Sequence, residues 1–468
     1  MKTEKLFLLT FLSFFLCLGN ACVDTRSRSN PDIPFLSVST DGHYLCKERK
    51  PFFWLADTGW LLFTQSPEDV EFYMQNRSSL GFNTLQVMVT SRPFNNPEFR
   101  KNYRGEVPFI NLDPPEFNET YFEHIDDIVR KAEKYKLVIV LFPAWGPYLD
   151  QIFPVDKPEN AYKFGFFLGN RYKDFSNVIW SVCGEYHKIA WDAEPKKPDS
   201  NPDEKELALI ENLARGLSEG NGGTQLMTIH PDGWKSSSEH FHNADWLDFN
   251  MIQSWSIGKG NEMDTREDYF RTPAKPTLLA EPGYEFGGGG HQAFLVRYEG
   301  YHSVLNGGLG YTYGCEGIWN FMENWKDLLN SEGASQMIYL KRLFESRPFY
   351  ERLPAPDLIA DPPGDWTTGQ KAMAGIAKDS TWAVVYFPSD TSTHRINTGM
   401  IKGTSLYAWW YNPRDGKCYD SENKLTDNSF KITGNPDRVR EFDPPGDQGI
   451  KHDWVLVLDD GDRDYPKP

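Results

Sequence analysis

The stretch "NVIWSVCGEYH", residues 177–187, decides how this chain folds. Its first seven residues form an apolar run of strand-forming side chains with little polar alternation, as in a strand buried on both faces. The run then stops at Gly184 and is followed by Glu185, Tyr186 and His187. A carboxylate and an imidazole thus stand at the end of a buried element, so the rest of the chain must say what surrounds them.

Similar runs recur on either side: "FFWLAD" (52–57), "NTLQVMV" (83–89), "LVIVLFPAW" (137–145), "QLMTIHP" (225–231), "DFNMIQSW" (248–255), "KPTLLAEPGYE" (275–285) and "LGYTYGCEGIWNF" (309–321). Most are followed by a helical pattern. Ser66-Pro67 with Glu68 and Asp69 is a helix start, and "PDEKELALIENLARGLSEG" (202–220) is amphipathic. The patterns are weakest in the fifth and sixth units. Apolar strands alternating with amphipathic helices imply a parallel sheet covered on both faces, and eight units predict a closed (β/α)8 barrel. A doubly wound open sheet is the competing topology.

After Pro354 the pattern changes. "LPAPDLIADPPGDW" (353–366) is a Pro-rich boundary, followed by short strand-like runs such as "WAVVYFP" (382–388), "SLYAWWYNP" (405–413) and "DWVLVLDD" (453–460). These predict an antiparallel β-sandwich. Residues 35–50 predict a hairpin turning at Asp41-Gly42, set at the barrel floor or joined to the sandwich. The barrel with its hairpin is expected over 35–353 and the sandwich over 354–468.

The N-terminus resembles an export signal over 1–21: basic "MKTEK", then the apolar "LFLLTFLSFFLCL", too short and poorly flanked to span a membrane. "GNAC" resembles a lipoprotein cleavage site with Cys22 as the lipidated residue; ordinary cleavage near Ala21 is the alternative. A polar linker follows over 22–34. The other cysteines, Cys46, Cys183, Cys315 and Cys418, show no metal or disulfide spacing and are expected to be buried free thiols. The formal charge of −17 argues against nucleic acid or an anionic membrane surface as the main partner. Neither a Walker loop, a Ser-nucleophile elbow nor an HExxH motif occurs, and no cofactor or metal is implied. The "GGGG" at 287–290 is expected to be a rim loop, not a phosphate site.

In a (β/α)8 barrel the chemistry gathers at the carboxyl ends of the strands. The residues there are Glu185 and His187 after the fourth strand and Glu281 and Tyr284 after the seventh, with Asp57, Trp145, His230, Gln253 and Trp319 after others. Two opposed carboxylates are what glycoside hydrolysis needs: one protonated acid for the leaving oxygen, and one carboxylate to attack or to activate water. Glu185 and Glu281 are the candidate pair. Asp57, Trp145, His187, His230, Gln253, Tyr284 and Trp319 are candidate sugar contacts. A non-catalytic glycan-binding surface protein is the competing class.

"FFWLADTGWLLF", "LGFNTLQVMV", "NVIWSVCGE" and "KPTLLAEPGYE", with "WWYNPRDGK" and "DWVLVLDD" further on, together resemble the apiosidase-like glycoside hydrolases over nearly the whole chain. The resemblance implies a (β/α)8 barrel with a C-terminal β-sandwich, exported by bacteria that degrade plant polysaccharide. It also implies a retaining enzyme that removes apiose or a related pentose from pectic rhamnogalacturonan-II. By position, Glu185 matches the acid/base and Glu281 the nucleophile. There is one departure: the family's apiosidase carries Asp where Glu185 stands. The extra methylene displaces the proton donor by about 1 Å, which leaves a different sugar open as the substrate. A monomer is expected.

Overall fold

The computed structural model describes residues 36–93, 96–189, 201–255, 261–288, 290–362, 364–365, 368–432, 438–446 and 449–468. The expected signal peptide, Cys22 and the whole linker lie outside the described residues.

Eight strands form one parallel system: β1 (Trp54–Thr58), β2 (Thr84–Met88), β3 (Val138–Phe142), β4 (Val178–Ser181), β5 (Met227–Thr228), β6 (Asn250–Gln253), β7 (Thr277–Glu281) and β8 (Gly310–Tyr313). β8 pairs with β1, so the sheet turns back on itself. The remaining junction, between β5 and β6, is held by Asp248 N–H donating to the Met227 carbonyl at 2.8 Å and by Thr228 Oγ1 donating to the Phe249 carbonyl at 2.7 Å. The sheet is therefore a closed (β/α)8 barrel, and every strand expected from the apolar runs is present. Inside it, Gln86 Nε2 on β2 donates to the Ala280 carbonyl of β7 at 2.7 Å. That bond crosses between strands that are not neighbours and ties down the backbone just before Glu281.

Two of the barrel's helices start where a side chain satisfies their first free N–H groups. The helices are α1 (Pro67–Ser79), α2 (Glu119–Lys134), α3 (Glu159–Tyr172), α4 (Glu204–Asn221), α5 (Ser238–Phe241), α6 (Asn261–Tyr269), α7 (Ala293–Leu305) and α8 (Glu332–Glu345). Ser66 accepts from Asp69 N–H before α1, and Asp203 forms a capping box with Glu206 before α4. The two weak sequence patterns correspond to α5 and α6, of four and nine residues.

Asp57 corrects one expectation. Its carboxylate is fully buried away from the barrel mouth: it accepts from Tyr73 OH at 2.7 Å and lies 3.1 Å from Arg77 Nε, both on α1. It is a strand-to-helix tie, not a sugar contact. A second correction concerns the thiols. Cys183, Cys315 and Cys418 are free and buried, whereas Cys46 is disulfide-bonded.

The C-terminal part begins with β9 (Arg352–Pro354), followed by β10 (Met373–Ala377), β11 (Trp382–Ser389), β12 (Leu406–Asn412), β13 (Lys417–Tyr419) and β14 (Ile450–Asp460). These run antiparallel in the order β9-β10-β11-β14-β12-β13, with Phe430–Ile432 also paired to β12. A separate ribbon joins His394–Asn397 to Val439–Phe442. Alternation along β11 shows how the layers stack. Val384 and Tyr386 join the barrel's core, while Ala383, Val385 and Phe387 join a second core with Ile396 and Phe442 of the ribbon. The large sheet is thus buried on both faces.

Charged ties reinforce the junction. Arg297 on α7 grips Asp453 through two bonds of 2.8 and 2.7 Å, and Arg347 grips Asp459 at 3.1 and 2.7 Å. At the barrel's other end, Ser37–Val38 and Leu45–Lys47 form the expected hairpin around Asp41-Gly42, extended by a third strand, Lys50–Phe52. Its His43 stacks on Tyr269 of α6, and Asp41 pairs with Lys378 of the sandwich. It both caps the floor and reaches the second domain.

Breaking a buried ion pair by removing one partner costs about 3–5 kcal/mol. Arg77→Met should therefore lower the thermal unfolding temperature markedly, and Asp57→Asn should do the same with no change in KM for substrate. A selective rise in KM for Asp57→Asn would instead return that residue to the binding site.

Candidate active site

At the end of β4 the chain turns sharply. Glu185 sits in the left-handed region at φ 45°, ψ 46°, held there by bonds to both neighbouring strand ends. Gly146 N–H donates to the Gly184 carbonyl at 2.6 Å, Gly184 N–H to Ala144 at 3.1 Å, and Tyr186 N–H to His230 at 3.2 Å. Gly184 is required by contact: a Cβ there would lie 1.9 Å from the Trp145 indole. The indole of Trp145 therefore lies flat against the backbone that presents Glu185.

The Glu185 carboxylate is held from two sides. Gln253 Nε2 on β6 donates to Oε1 at 3.2 Å, and Lys188 Nζ donates to Oε2 at 2.9 Å while also reaching Asp232 at 2.9 Å. Burial pushes the Glu185 carboxyl up from its ordinary value, Lys188 opposes this, and the negative charge of Glu281 adds to the rise. Glu281, the last residue of β7, pairs in register with Gln253. Its Oε1 accepts from Tyr284 OH at 2.7 Å, and Tyr284 in turn accepts from Trp60 Nε1 at 2.6 Å. His230 Nε2 lies 3.2 Å from Glu281 Oε2. The two acids thus share one environment, since Gln253 bonds to Glu185 and is the register neighbour of Glu281.

Glu281 Oε2, Gln253 Oε1 and both ring nitrogens of His230 are buried with no hydrogen-bond partner among the described residues. A buried polar atom left unpaired is costly, and these four gather around the two acids. His230 is also walled by aromatics, with ring centroids 6.0 Å from Trp60, 5.9 Å from Phe142 and 5.7 Å from Trp145. Beside this group opens a cavity of about 610 Å³ lined by Glu185, Lys188, Trp145, Trp319, Arg92 and Arg100, among others.

The structure thus brings together Glu185, Glu281, Trp145, His230, Gln253, Tyr284 and Trp319. Asp57 and His187 lie apart. His187 is buried, stacks on Tyr186 at 3.9 Å, and accepts Asp232 N–H at Nδ1. That bond leaves the proton of a neutral ring on Nε2, facing Glu239 at 3.6 Å. Although His187, Glu239 and His240 could gather around an ion, this tautomer turns a donor toward the centre, and the triad does not fit a metal.

Sequence reasoning missed Lys188, one short turn beyond Glu185. It also missed Arg92 and Arg100, which belong to the long loop after β2 and carry no periodic signal. At the rim, Trp234 and Trp255 are exposed and meet edge to face at 5.3 Å, with Lys188 over the Trp255 ring at 4.5 Å.

The sequence model of the apiosidase-like catalytic domain matches residues 39–351. The chain belongs to the apiosidase-like family. Residues 353–459 match a second model, described as "Putative collagen-binding domain of a collagenase". Among solved structures, one named a glycoside hydrolase is 30% identical, with a TM-score of 0.76 over 92% of this chain and 98% of that one. A glycoside hydrolase family 5 protein from Bacteroides vulgatus is 26% identical, with a TM-score of 0.76 over 92% and 95% of the two chains. A search of curated proteins found no match. This apiosidase-like protein is a glycoside hydrolase.

Two expectations follow for it. Gly184→Ala should displace the Trp145 indole and lower kcat/KM by about tenfold or more, as small misplacements at a reacting centre do; unchanged kinetics would dissociate that contact from catalysis. Lys188→Met removes the charge that holds the Glu185 carboxyl down, so its pKa should rise further. Since an acid works only while protonated, activity is lost as pH rises through that value. The alkaline limb of the kcat profile should therefore move to higher pH.

Proposed function

We propose that the chain is a retaining exo-glycosidase that removes terminal sugar units, apiose or a related pentose, from acidic pectic glycans of the plant cell wall. The observation that carries this is the unlike treatment of two adjacent acids. Glu185 is favoured in its protonated form by burial and by the charge of Glu281, whereas Glu281 keeps an accepting oxygen on Tyr284 OH.

In the first step Glu281 attacks the anomeric carbon as Glu185 gives its proton to the departing glycosidic oxygen. In the second, Glu185 takes a proton from water, the water oxygen bonds to the anomeric carbon, and Glu281 leaves. His230, Gln253 and Tyr284 hold the sugar's hydroxyls and the nucleophile. Trp145 and Trp319 offer apolar faces to the ring.

An acidic polymer is favoured by charge. The chain as a whole carries −17, yet the cavity lining sets Arg92, Arg100 and Lys188 against the single carboxylate of Glu185. The guanidinium of Arg92 lies over Phe99 at 4.3 Å, and the Nε atoms of Arg92 and Arg100 are buried without hydrogen-bond partners. Export belongs to the same reading, since intact polysaccharide does not enter cells.

The test is a panel of pectic oligosaccharides, native and carboxyl-reduced, with proton NMR to identify the first-formed anomer. The native enzyme should release a monosaccharide with retained configuration and prefer the unreduced forms. Glu185→Ala should lose about 10²–10⁴-fold in kcat, with azide restoring turnover of an activated substrate, and Glu281→Ala should be inactive. Inverted product, or equal release by all three proteins, would refute the mechanism.

A further inference from the structure

A second cavity, of about 300 Å³, opens in the C-terminal domain and is lined by Asp390, Asn412, Arg414, Tyr419, His452 and Trp454, among others. It is small for a ligand site, about the lower end of the 300–1,000 Å³ range, which suits one sugar ring better than a chain segment. Its wall is polar, and its chemistry is unlike that of a packing defect.

Arg414 is the telling residue. Its guanidinium lies over the Trp454 indole at 5.2 Å, and Nη1 stands 3.7 Å from Asp453 Oδ1. Asp453 is already occupied. It takes two bonds from Arg297 and one from Tyr386 OH at 2.9 Å, which leaves Arg414 Nη1 buried without a hydrogen-bond partner. Burial lowers the Arg414 pKa from its ordinary value, with Asp453 and Asp390 opposing the fall. Arg414 and Trp454 together form a wall of the cavity in which a cation lies over an aromatic face.

The rest of the lining supplies acceptors and a further ring. Asp390 is 2% exposed and accepts Gly449 N–H through Oδ1 at 2.8 Å. Asn412 Oδ1 is fixed by Arg414 N–H at 3.0 Å, and Tyr419 meets Trp454 edge to face at 5.2 Å. A fixed cation, a fixed carboxylate and an amide around one small space match the alternating donors and acceptors of a sugar's vicinal hydroxyls. The Asp390 carboxylate disfavours an anionic ligand, so the ring expected here is neutral.

We propose that this cavity is a second glycan-binding site, which takes one neutral sugar residue of the polymer through Arg414 and Asp390 and holds it on the same molecule as the active site. Its floor is tied through Asp453 to Arg297 on α7, the helix that follows the strand carrying Glu281. The pocket therefore has a fixed position relative to the catalytic mouth.

The test uses the full-length Glu281→Gln protein, titrated calorimetrically with neutral arabinan, galactan and xyloglucan oligosaccharides. At least one should show binding that survives Trp145→Ala and weakens about tenfold or more in Arg414→Met, as loss of a charge-assisted hydrogen bond predicts. His452→Ala, a partly exposed position, should weaken it too and guards against misfolding of the arginine variant. In the otherwise wild-type enzyme, Arg414→Met should reduce turnover of the polymer while leaving a short soluble substrate unaffected. Binding abolished by Trp145→Ala alone, or no neutral glycan bound outside the barrel mouth, would overturn the proposal.

Discussion

Two carboxyl groups crowded into a desolvated barrel mouth cannot both ionise freely, and that constraint organises the apiosidase-like site. Burial and the negative charge of Glu281 favour the protonated form of Glu185. Lys188 Nζ and Gln253 Nε2 hold the Glu185 carboxylate, while Tyr284 OH gives Glu281 a fixed donor. Lys188 opposes the rise at Glu185 without cancelling it. The barrel's architecture serves this electrostatic arrangement by fixing both acids at strand ends, where backbone bonds to neighbouring strands limit drift.

Much of this was legible from residue patterns. The eight apolar runs had the right length and order for strands, because side chains buried on both faces leave a continuous apolar signature. Glu185 and Glu281 stood out because a carboxylate has no packing reason to end such a run. Asp57 satisfied the same rule and misled, since a strand-end acid can turn outward to a helix arginine as readily as inward to a ligand. Nothing in "FFWLAD" foretells Arg77, which lies 20 positions further on in the following helix. His187 misled for a related reason: the short turn after Glu185 rotates successive side chains to different sides.

The cationic lining illustrates another kind of blindness. Arg92 and Arg100 lie in a loop that is neither apolar nor periodic, and only the folded chain shows that the loop leans over the mouth. Cys46 was equally opaque, because cysteine spacing without a repeat does not announce pairing. By contrast, the C-terminal strands were readable as a group, although which face met the barrel was not. Alternation on β11 specifies two faces but not their neighbours.

The sheet buried on both faces carries a consequence for how this molecule can be divided. A sandwich domain of ordinary kind turns its outer face to water and can be shed or exchanged between proteins. Here the row containing Tyr386 is part of the same continuous core as the barrel, with Arg297 and Arg347 anchored across the seam. Separating the two parts would lay bare a broad apolar surface studded with unpaired charge. The folding unit is thus the joined pair, not a barrel with a detachable appendage.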